Sequence, residues 1–394
     1  MDIRALQQSL TEQQLDAWLL YDFHGQNPTA LTALGLHGHM LTRRWCYLVP
    51  RQGTPVALVH AIETGSFPKD IPGGRRSYAS WQSFRGALSE LLGGLGPKPK
   101  VAMEYCPEGA IPYLSRVDAG TLELIRGFGV EVHSSAELVQ RFLCRWDLAQ
   151  VESHKRALDG IDAAKDAAFA WIGGAHRRGE TPLETEVQKF LMDRFAEEDL
   201  ETDHPPIVAV NGHAGDPHYA PSDATPTPIK PGDLVLIDLW ARGKGPRDVY
   251  ADITWCGFCG DHPPAKLKEI WKVTTEARDV GLATVEKAFR EGRALAGWEV
   301  DRAVRDHITA AGYGDRFVHR TGHSIGGNVH GDGANLDDLE THDTRRLIPG
   351  LAFSIEPGIY LADEGLGVRS EIDVFLAADG PKVFAKIQKD LVRI

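Results

Sequence analysis

The chain has 394 residues, of which 42% are apolar and 25% charged, a composition typical of globular proteins, and its length favours two domains. Its net charge of −12 argues against nucleic acid or an anionic membrane as a partner, because both need a basic surface. No apolar run approaches the roughly 18 residues that span a bilayer. The opening segment does not resemble a secretory signal, and the five cysteines are odd in number and dispersed. These features predict a cytoplasmic protein without a disulfide framework.

The first part of the chain alternates between strand-like and helical segments. Apolar runs rich in strand-forming residues occur at Trp18–Tyr21, Trp45–Val49, Pro55–Val59, Val101–Met103 and, last, Leu122–Val132. Helical patterns lie between them, at Ile3–Leu15 and Phe84–Leu92. This alternation predicts an α/β domain over residues 1–145.

Longer helical patterns begin near Arg145 and predict a second domain over residues 146–394. The first pattern starts at Trp146 and stops at Gly173-Gly174. The string Thr181-Pro-Leu-Glu184 then predicts a capping box that begins the next helix. Two more helices are predicted further along, at about Pro264–Phe289 and Trp298–Ala311.

Carboxylates occur inside apolar runs that should be buried. Asp238 lies in the run Leu234–Trp240 and Asp252 in Val249–Trp255. The glycine-rich turn between these runs predicts a hairpin that brings the two acids close together. Two later strand-like runs contain one glutamate each, Glu356 and Glu371.

Several buried carboxylates at one site are costly, because burial disfavours the charged form and like charges repel. Each acid could instead pair with an Arg or Lys, or face solvent from a half-exposed strand. However, four such acids with only Arg369 nearby in the sequence favour a dinuclear cation site, since two divalent ions can hold all four ionised. Hard oxygen ligands with a single imidazole suit Mn²⁺ or Co²⁺ at least as well as Zn²⁺.

His323 is the candidate imidazole, in the segment Arg320-Thr-Gly-His-Ser-Ile-Gly-Gly-Asn-Val-His330. Its flanking glycines allow a close backbone approach, although a histidine taken at random from the 16 in the chain is more often not a ligand. The same segment matches G-x-S-x-G, which in α/β-hydrolases would make Ser324 a nucleophile. This alternative is disfavoured because the glycine-rich continuation does not begin a helix and the last histidine, His342, follows too closely.

These five residues, and the strings around them, carry a resemblance to a known family. Asp238, Asp252, His323, Glu356 and Glu371 resemble, in order and spacing, the metal ligands of the pita-bread metallopeptidases, and the strings IDLWA, YADIT, TGHSIGGNVH, SIEPGIY and GVRSEID agree as well. The family contains methionine aminopeptidases, Xaa-Pro aminopeptidases and Xaa-Pro dipeptidases (prolidases), with creatinase as a metal-free relative. The resemblance implies a creatinase-type α/β domain with a mixed sheet over residues 1–145. It implies a pita-bread domain with a curved, mostly antiparallel sheet backed by helices over residues 146–394.

The resemblance also implies how the five residues hold metal. Asp252 and Glu371 would bridge two divalent cations, which Asp238, His323 and Glu356 would hold further. Mn²⁺ is the preferred ion, with Co²⁺ or Zn²⁺ as alternatives. A shared water of lowered pKa would attack the scissile carbonyl, and Glu356 would pass its proton to the leaving proline nitrogen.

Three more residues gain roles by the same resemblance. His218 and His330 match substrate-binding histidines that orient the peptide and stabilise the oxyanion. Arg369 matches an arginine that the family has beside the last glutamate, and it is a third candidate for substrate binding. By sequence alone, His218 could be an ordinary loop histidine and Arg369 only a salt-bridge partner.

The implied activity is hydrolysis of the peptide bond before proline in Xaa-Pro dipeptides. An Xaa-Pro aminopeptidase that cuts longer peptides is the alternative, and chain length fits either. A creatinase-like amidinohydrolase is disfavoured because that reaction dispenses with the ligand set that is complete here. A metal-free binding scaffold is a distant alternative, since such relatives typically lack a ligand. The resemblance further implies a homodimer in which the partner's N-terminal domain caps the site.

Three departures from the family pattern are visible. Ser324 replaces a glycine that the family usually has beside the histidine, and Trp255-Cys256 stands where many relatives have a basic residue and threonine. The stretch Asp343-Thr-Arg-Arg346 does not align an arginine where some prolidases hold the carboxylate of the dipeptide. Arg43 or Arg44 of the N-terminal domain could bind this carboxylate instead, and the sequence does not decide which residue does.

Overall fold

The two units of the chain are built around different sheets. The computed structural model describes residues 1–394, with Met1–Cys144 forming the first unit and Arg145–Ile394 the second. No helix in either unit combines the length and the apolar character that a membrane span requires.

The first unit contains a mixed six-stranded sheet. Its strands are β1 (Ala17–Asp22), β2 (Trp45–Pro50), β3 (Val56–His60), β4 (Gly74–Tyr78), β5 (Lys100–Met103) and β6 (Glu131–Ser134). Its helices are α1 (Ile3–Glu12), α2 (Pro28–Leu34), α3 (Trp81–Gly93), α4 (Ala119–Gly127) and α5 (Ala136–Val139). The strand order is β4-β3-β2-β1-β5-β6, antiparallel where β2 meets β1 and β3 and parallel elsewhere.

Helices cover both faces of this sheet because β1 is apolar on both sides. Trp18 and Leu20 pack in one core that includes Leu6 of α1, whereas Leu19 packs in a second core with Phe84 of α3. Successive side chains of a strand point to opposite faces, so a continuous apolar run is what a strand buried on both faces requires. The predicted α/β domain with a mixed sheet is therefore confirmed.

One predicted strand of the first unit is wrong over most of its length. The segment Leu122–Val132 contains the end of α4, and β6 starts only at Glu131. Asp118 caps this helix, since its side chain accepts a hydrogen bond from the Thr121 N–H at 2.9 Å. Leu122 and Ile125 are buried three residues apart, which is a helical rather than a strand period.

The second unit consists of helix pairs packed on mostly antiparallel strands. Its helices are α6 (Leu148–Arg177), α7 (Glu184–Glu197), α8 (Ala265–Arg290) and α9 (Gly297–Ala310). Its strands are β7 (Leu200–Glu201), β8 (Ile207–Val210), β9 (Leu234–Gly243), β10 (Ala251–Phe258), β11 (Ser324–Ile325), β12 (Ala352–Ile355), β13 (Gly358–Leu361), β14 (Leu366–Arg369), β15 (Ile372–Ala377), β16 (Gly380–Lys382) and β17 (Val392–Arg393).

Three groups of strands make up this unit. One has the order β17-β10-β9-β7, with β8 also paired to β9, another the order β11-β12-β15-β16, and β13 and β14 form a two-stranded ribbon. All of these pairs are antiparallel except β10 with β17. The expected antiparallel architecture backed by helices is confirmed.

Two predicted helix boundaries in the second unit are wrong. Helix α6 continues through Gly173-Gly174 to Arg177, because an interior glycine costs a helix only about 1 kcal/mol and Ile172 remains buried in the core. Thr181 does not begin α7. Its neighbour Pro182 accepts a hydrogen bond from the Ile229 N–H at 2.8 Å, and the helix begins at Glu184 instead.

Candidate metal centre

The hairpin of β9 and β10 places two of the predicted acids on the same face. Val235, Ile237 and Leu239 pack in the core formed with α6 and α7, so the alternate position Asp238 lies on the opposite face of β9. Asp238 is paired with Thr254 of β10, and Asp252 precedes Thr254 by one strand period. The predicted hairpin is confirmed, and both carboxylates are largely buried.

The two predicted glutamates lie at breaks between strands rather than inside strands. Glu356 lies between β12 and β13, and Glu371 lies between β14 and β15. Pro357 follows Glu356 and has no N–H to continue a ladder. The two backbones bond to other segments instead: the Glu356 N–H to Thr321 O at 2.8 Å and the Glu371 N–H to Thr254 O at 3.4 Å. These breaks bring both glutamates next to the other acids.

His323 is held by a tight approach of two backbone segments. A Cβ atom at Gly322 would lie 2.0 Å from the carbonyl oxygen of Ser354, so only glycine fits there. The His323 N–H donates to Ser354 Oγ at 3.0 Å, and Nδ1 lies 3.2 Å from Ser324 O, to which it donates. This leaves Nε2 free to ligate a cation, 3.6 Å from Asp252 Oδ2 and 3.3 Å from Glu356 Oε1.

The donor atoms of this cluster suit divalent cations. One ligand atom each from Asp252, His323 and Glu371 lies within 4.8 Å of the others, and all three residues are buried. Asp252 Oδ1 and Glu371 Oε1 have no hydrogen-bond partner, although both atoms are buried. Two buried carboxylate oxygens without partners are costly, and a divalent cation would satisfy them.

Electrostatics of the bare cluster disfavour ionised acids. Burial raises the pKa of Asp252 well above its usual value, and neighbouring Asp238 and Glu356 raise it further. Burial likewise raises the pKa of Glu371, with Asp252 as the next cause. Burial raises the pKa of Glu356 as well, although His323 and Arg369 oppose this shift. Burial and mutual repulsion therefore oppose the charged form of these carboxylates, which a bound cation would favour.

Arg369 is buried and makes three contacts inside the protein. Its Nη2 donates to Asp238 Oδ2 at 2.5 Å, its Nε to Thr254 Oγ1 at 3.1 Å and its Nη1 to Tyr360 Oη at 3.0 Å. Tyr360 Oη lies 2.7 Å from Nε2 of His319. These contacts fix Asp238 and make Arg369 a supporting residue of the cluster, while a contact with substrate stays a prediction.

His330 lies beside the predicted imidazole ligand. The centroids of the His330 and His323 rings are 4.3 Å apart, with the planes at 71°. Unlike the predicted ligands, His330 is exposed to solvent. It therefore combines closeness to the cluster with access from solvent, as a substrate-contacting residue must.

His218 is exposed, on the loop after β8. Its N–H donates to Asp216 Oδ1 at 3.1 Å. The next residue, Tyr219, donates from its hydroxyl to the buried Glu184 at 2.5 Å, which anchors the loop on α7. No measured contact joins the His218 side chain to the acids, so its role stays a prediction.

Two buried residues that the sequence analysis did not identify also support the cluster. Asp373 Oδ2 accepts a hydrogen bond from the backbone N–H of Asp252 at 2.8 Å. His154 of α6 lies 3.9 Å from the same oxygen through Nε2, while its Nδ1 donates to Tyr250 O at 2.8 Å. Together they hold the start of β10, where Asp252 is located. Asp373 could have been identified from the sequence, because it lies two residues after Glu371 and a strand places such residues on the same face. His154 could not, because it is distant from the other site residues in the sequence.

Arg345, in the stretch without the prolidase-like arginine, has a structural role. It is buried and donates to Asp343 from Nε at 3.0 Å and from Nη2 at 2.6 Å. Asp343 also accepts from the Asn335 N–H, and Asn335 accepts from the Ser324 N–H at 3.0 Å. Arg345 thus supports the loop beside His323.

We expect the metal-free protein to lose stability as pH rises above the range in which ordinary carboxyl groups titrate. The raised pKa values of Asp252, Glu371 and Asp373 mean that the folded state retains protons that the unfolded chain has released. Stability therefore falls with pH until these groups ionise in the folded state. Urea unfolding of metal-stripped protein between pH 6.5 and pH 8 measures this fall.

The variant Glu371→Gln is the matched control for this pH dependence, because it removes one of the coupled acids. Its metal-free form should lose less stability over the same pH interval than the wild type does. An equal or larger loss in the variant would show that the buried acids do not cause the effect.

Comparisons with known proteins place the chain in a family. The sequence profile of metallopeptidase family M24 matches residues 152–378. The Xaa-Pro dipeptidase of Lactobacillus helveticus is 33% identical over 261 residues, which are 64% of this chain and 64% of that protein. Across the first curated relatives, the matched segments span 48% to 64% of the relatives' own length.

Solved structures share the fold over nearly the whole chain. Dipeptidase PepE from Mycobacterium ulcerans has a TM-score of 0.74 at 21% identity, covering 99% of this chain and 96% of that one. The X-prolyl aminopeptidase from Caenorhabditis elegans, described as a cytosolic enzyme with a di-nuclear active site, has a TM-score of 0.68 at 16% identity and covers 98% of this chain and 61% of that one. These likenesses establish the pita-bread fold. Because the family profile matches more than half of its residues, the chain belongs to metallopeptidase family M24.

Proposed function

We propose that the chain hydrolyses the peptide bond before proline in Xaa-Pro dipeptides, with two divalent cations in the site of Asp238, Asp252, His323, Glu356 and Glu371. The observation that carries this proposal is the pair of buried carboxylate oxygens without partners, on Asp252 and Glu371. Membership of a metallopeptidase family supports it. The dipeptide preference is supported by the name of the Lactobacillus relative, and the dinuclear site by that of the Caenorhabditis structure.

The side chains of the cluster divide the work of the reaction between them. When bound, the cations would supply Lewis-acid activation of a water and of the scissile carbonyl. Asp252, Glu371, His323 and Glu356 would hold the cations together with Asp238, which Arg369 fixes in place. The Glu356 side chain is 16% exposed, more than that of Asp252 or His323, so it is the ligand best placed to exchange a proton with substrate.

Peptide length is the property that separates the proposed dipeptidase from the alternative aminopeptidase. The test compares hydrolysis of Leu-Pro and Ala-Pro-Ala by the metal-stripped protein before and after Mn²⁺ addition. Cleavage of the dipeptide alone, and only with metal, is the result expected. Equal cleavage of the tripeptide would establish the aminopeptidase, and no cleavage with any metal would favour the binding scaffold.

Metal identity, assembly and location are further parts of the proposal. Mn²⁺ is proposed because four carboxylates and one imidazole form a hard ligand set, with Co²⁺ or Zn²⁺ as alternatives. A homodimer is proposed from the family resemblance, with residues 1–145 as the creatinase-type domain and 146–394 as the catalytic domain. A cytoplasmic location is proposed because all five cysteines are free thiols.

We expect His330→Ala to lower kcat on Leu-Pro by about 10²–10³, the usual cost of one oxyanion donor. Both metal ions should stay bound, since His330 lies beside His323 without being a ligand in the proposed site. Steady-state kinetics and metal content measure the two effects. The exposed His262→Ala is the control. Wild-type kcat in His330→Ala would remove this residue from the mechanism.

A further inference from the structure

We propose that Asp203 makes the candidate metal centre select substrates with a basic residue, lysine or arginine, before the proline. Asp203 lies on the segment between β7 and β8, in the same unit as the five predicted ligands. This role rests on the proposed function, because it specifies which peptides the proposed hydrolysis would favour. The contacts of the Asp203 carboxylate, and its place beside the face that bears the acids, support it.

Trp240 links Asp203 to the candidate metal centre. On β9 it follows Asp238 by two residues and is paired with Asp252 of β10, so its side chain lies on the face that carries both acids. Its indole Nε1 donates a hydrogen bond to Asp203 Oδ1 at 2.7 Å. The Trp240 indole therefore connects the hairpin that bears the acids with the Asp203 carboxylate.

The charge of Asp203 acts on residues of the centre. Burial is the main cause of the raised pKa of Asp252, and Asp203 is one of the acids that raise this pKa further. Partial burial lowers the pKa of His330, and Asp203 opposes this shift. Because electrostatic effects decrease with distance, both observations indicate that Asp203 lies near the predicted ligand and the predicted substrate-binding histidine.

The Asp203 carboxylate is ionised and open to solvent. Its side chain is 48% exposed, and its Oδ2 atom lies 3.4 Å from Nδ1 of His204, whose side chain is 77% exposed. Partial burial raises the pKa of Asp203, but the Trp240 N–H and His204 outweigh this effect and hold the pKa below its usual value. The partners of this charge are therefore an indole and an exposed imidazole rather than a lysine or an arginine.

An indole and a carboxylate side by side suit a basic side chain. The alkyl stem of a lysine or arginine can pack against the Trp240 ring while its charged end pairs with Asp203. Trp240 is half-buried, so part of its ring remains available for this contact. A purely apolar side chain would cover the ring as well, but it would leave the carboxylate without a charged partner.

The geometry favours the side chain of the substrate, rather than its α-ammonium group, as the partner of Asp203. In the proposed reaction the scissile carbonyl lies at the cations, and the α-ammonium group is only one carbon away from that carbonyl. Asp203 is connected to the face of Asp238 and Asp252 through the Trp240 indole rather than by a direct contact. A group that reaches Asp203 must therefore extend past the peptide backbone, as the stems of lysine and arginine do.

The test compares kcat/KM for Lys-Pro and norleucyl-proline, whose side chains are similar in length but differ in charge. We expect the wild-type, metal-replete protein to cleave Lys-Pro at least about 5-fold more efficiently. In Asp203→Asn this ratio should fall to about 1, mainly through a higher KM for Lys-Pro, because a charge-assisted contact is lost. An asparagine oxygen can still accept the hydrogen bond from Trp240, so this variant isolates the charge. The same ratio in both proteins would overturn the proposal.

Two further variants separate this role from less specific effects. Asp199→Asn removes an exposed acid of the same region, paired with Lys244, and should leave the ratio unchanged. Asp203→Lys should reverse the preference, so that Glu-Pro is cleaved better than Lys-Pro. Equal slowing of Lys-Pro and norleucyl-proline in Asp203→Asn would assign the residue to the α-ammonium group or to support of Trp240, and would overturn the side-chain assignment.

Failure of the proposed function would give a different result. No cleavage of Leu-Pro, Lys-Pro or norleucyl-proline by the metal-replete protein would refute the proposed hydrolysis. Calorimetric titration with the uncleaved Lys-Pro and norleucyl-proline would then test Asp203 separately. Tighter binding of Lys-Pro that is lost in Asp203→Asn would support the assignment, whereas equal or absent binding of the two dipeptides would overturn it.

Discussion

Asp252→Asn is expected to abolish cation binding and dipeptide hydrolysis together. The carboxylate has one buried oxygen without a partner and another 3.6 Å from Nε2 of His323, so an amide would put a neutral group where the proposed cation site has a charged donor. We expect hydrolysis to fall by more than about 100-fold, the upper end of what loss of a residue that only supports a metal ligand costs. The backbone contact of Asp252 with Asp373 does not use the side chain, so the fold should persist.

Metal content and Leu-Pro hydrolysis, measured on the same Asp252→Asn preparation, check this expectation. Asp379→Asn, which replaces an exposed acid paired with Lys382, is the matched control and should keep both metal and activity. Full activity in Asp252→Asn would exclude the dinuclear assignment. Lost activity with normal metal content would assign Asp252 to catalysis rather than to metal binding.

Arg369→Met is expected to lower the free energy of unfolding of the metal-free protein by about 3–5 kcal/mol, the cost of removing one partner from a buried ion pair. Arg369 is 3% exposed and forms a buried ion pair with Asp238. Its loss also leaves the Thr254 and Tyr360 hydroxyls without their guanidinium donor. The acids of the cluster would then repel each other with less compensation.

Urea unfolding of the metal-stripped proteins at pH 7.5 measures this loss. Arg316→Met is the matched control, since it breaks an exposed pair with Asp363 and should change the unfolding midpoint little. We also expect added Mn²⁺ to recover part of the stability of Arg369→Met, because cations would neutralise the same acids. A wild-type midpoint in metal-free Arg369→Met would show that this arginine does not stabilise the cluster.

Local patterns were sufficient to predict the parts of the fold that depend on neighbouring residues. The β9–β10 hairpin followed from two apolar runs with a glycine-rich turn between them, and the register that pairs Asp238 with Thr254 confirms it. Helices α8 and α9 followed from their apolar period and lie within one residue of the predicted ends. The close contact between the backbone at Gly322 and that at Ser354 was predictable, because only glycine permits such contact.

Other features depend on contacts between distant segments, which the sequence pattern does not show. The breaks at Glu356 and Glu371 exist because their backbones bond to Thr321 and Thr254 rather than continue a ladder. His154 reaches the centre from α6 across the packing of the second unit. The predicted end of α6 at Gly173-Gly174 was wrong because burial of Ile172 outweighed the low helix propensity of these glycines.

The five proposed metal ligands are spread over positions 238 to 371, and this spread bears on when a cation can bind. They come from a hairpin, a loop and two strand breaks, whose positions depend on apolar cores formed without any ligand residue. An unfolded chain therefore offers no pre-organised site, and metal uptake must follow folding rather than nucleate it. Metal-free protein that has already folded would therefore gain the proposed activity when the cation is added, without unfolding first.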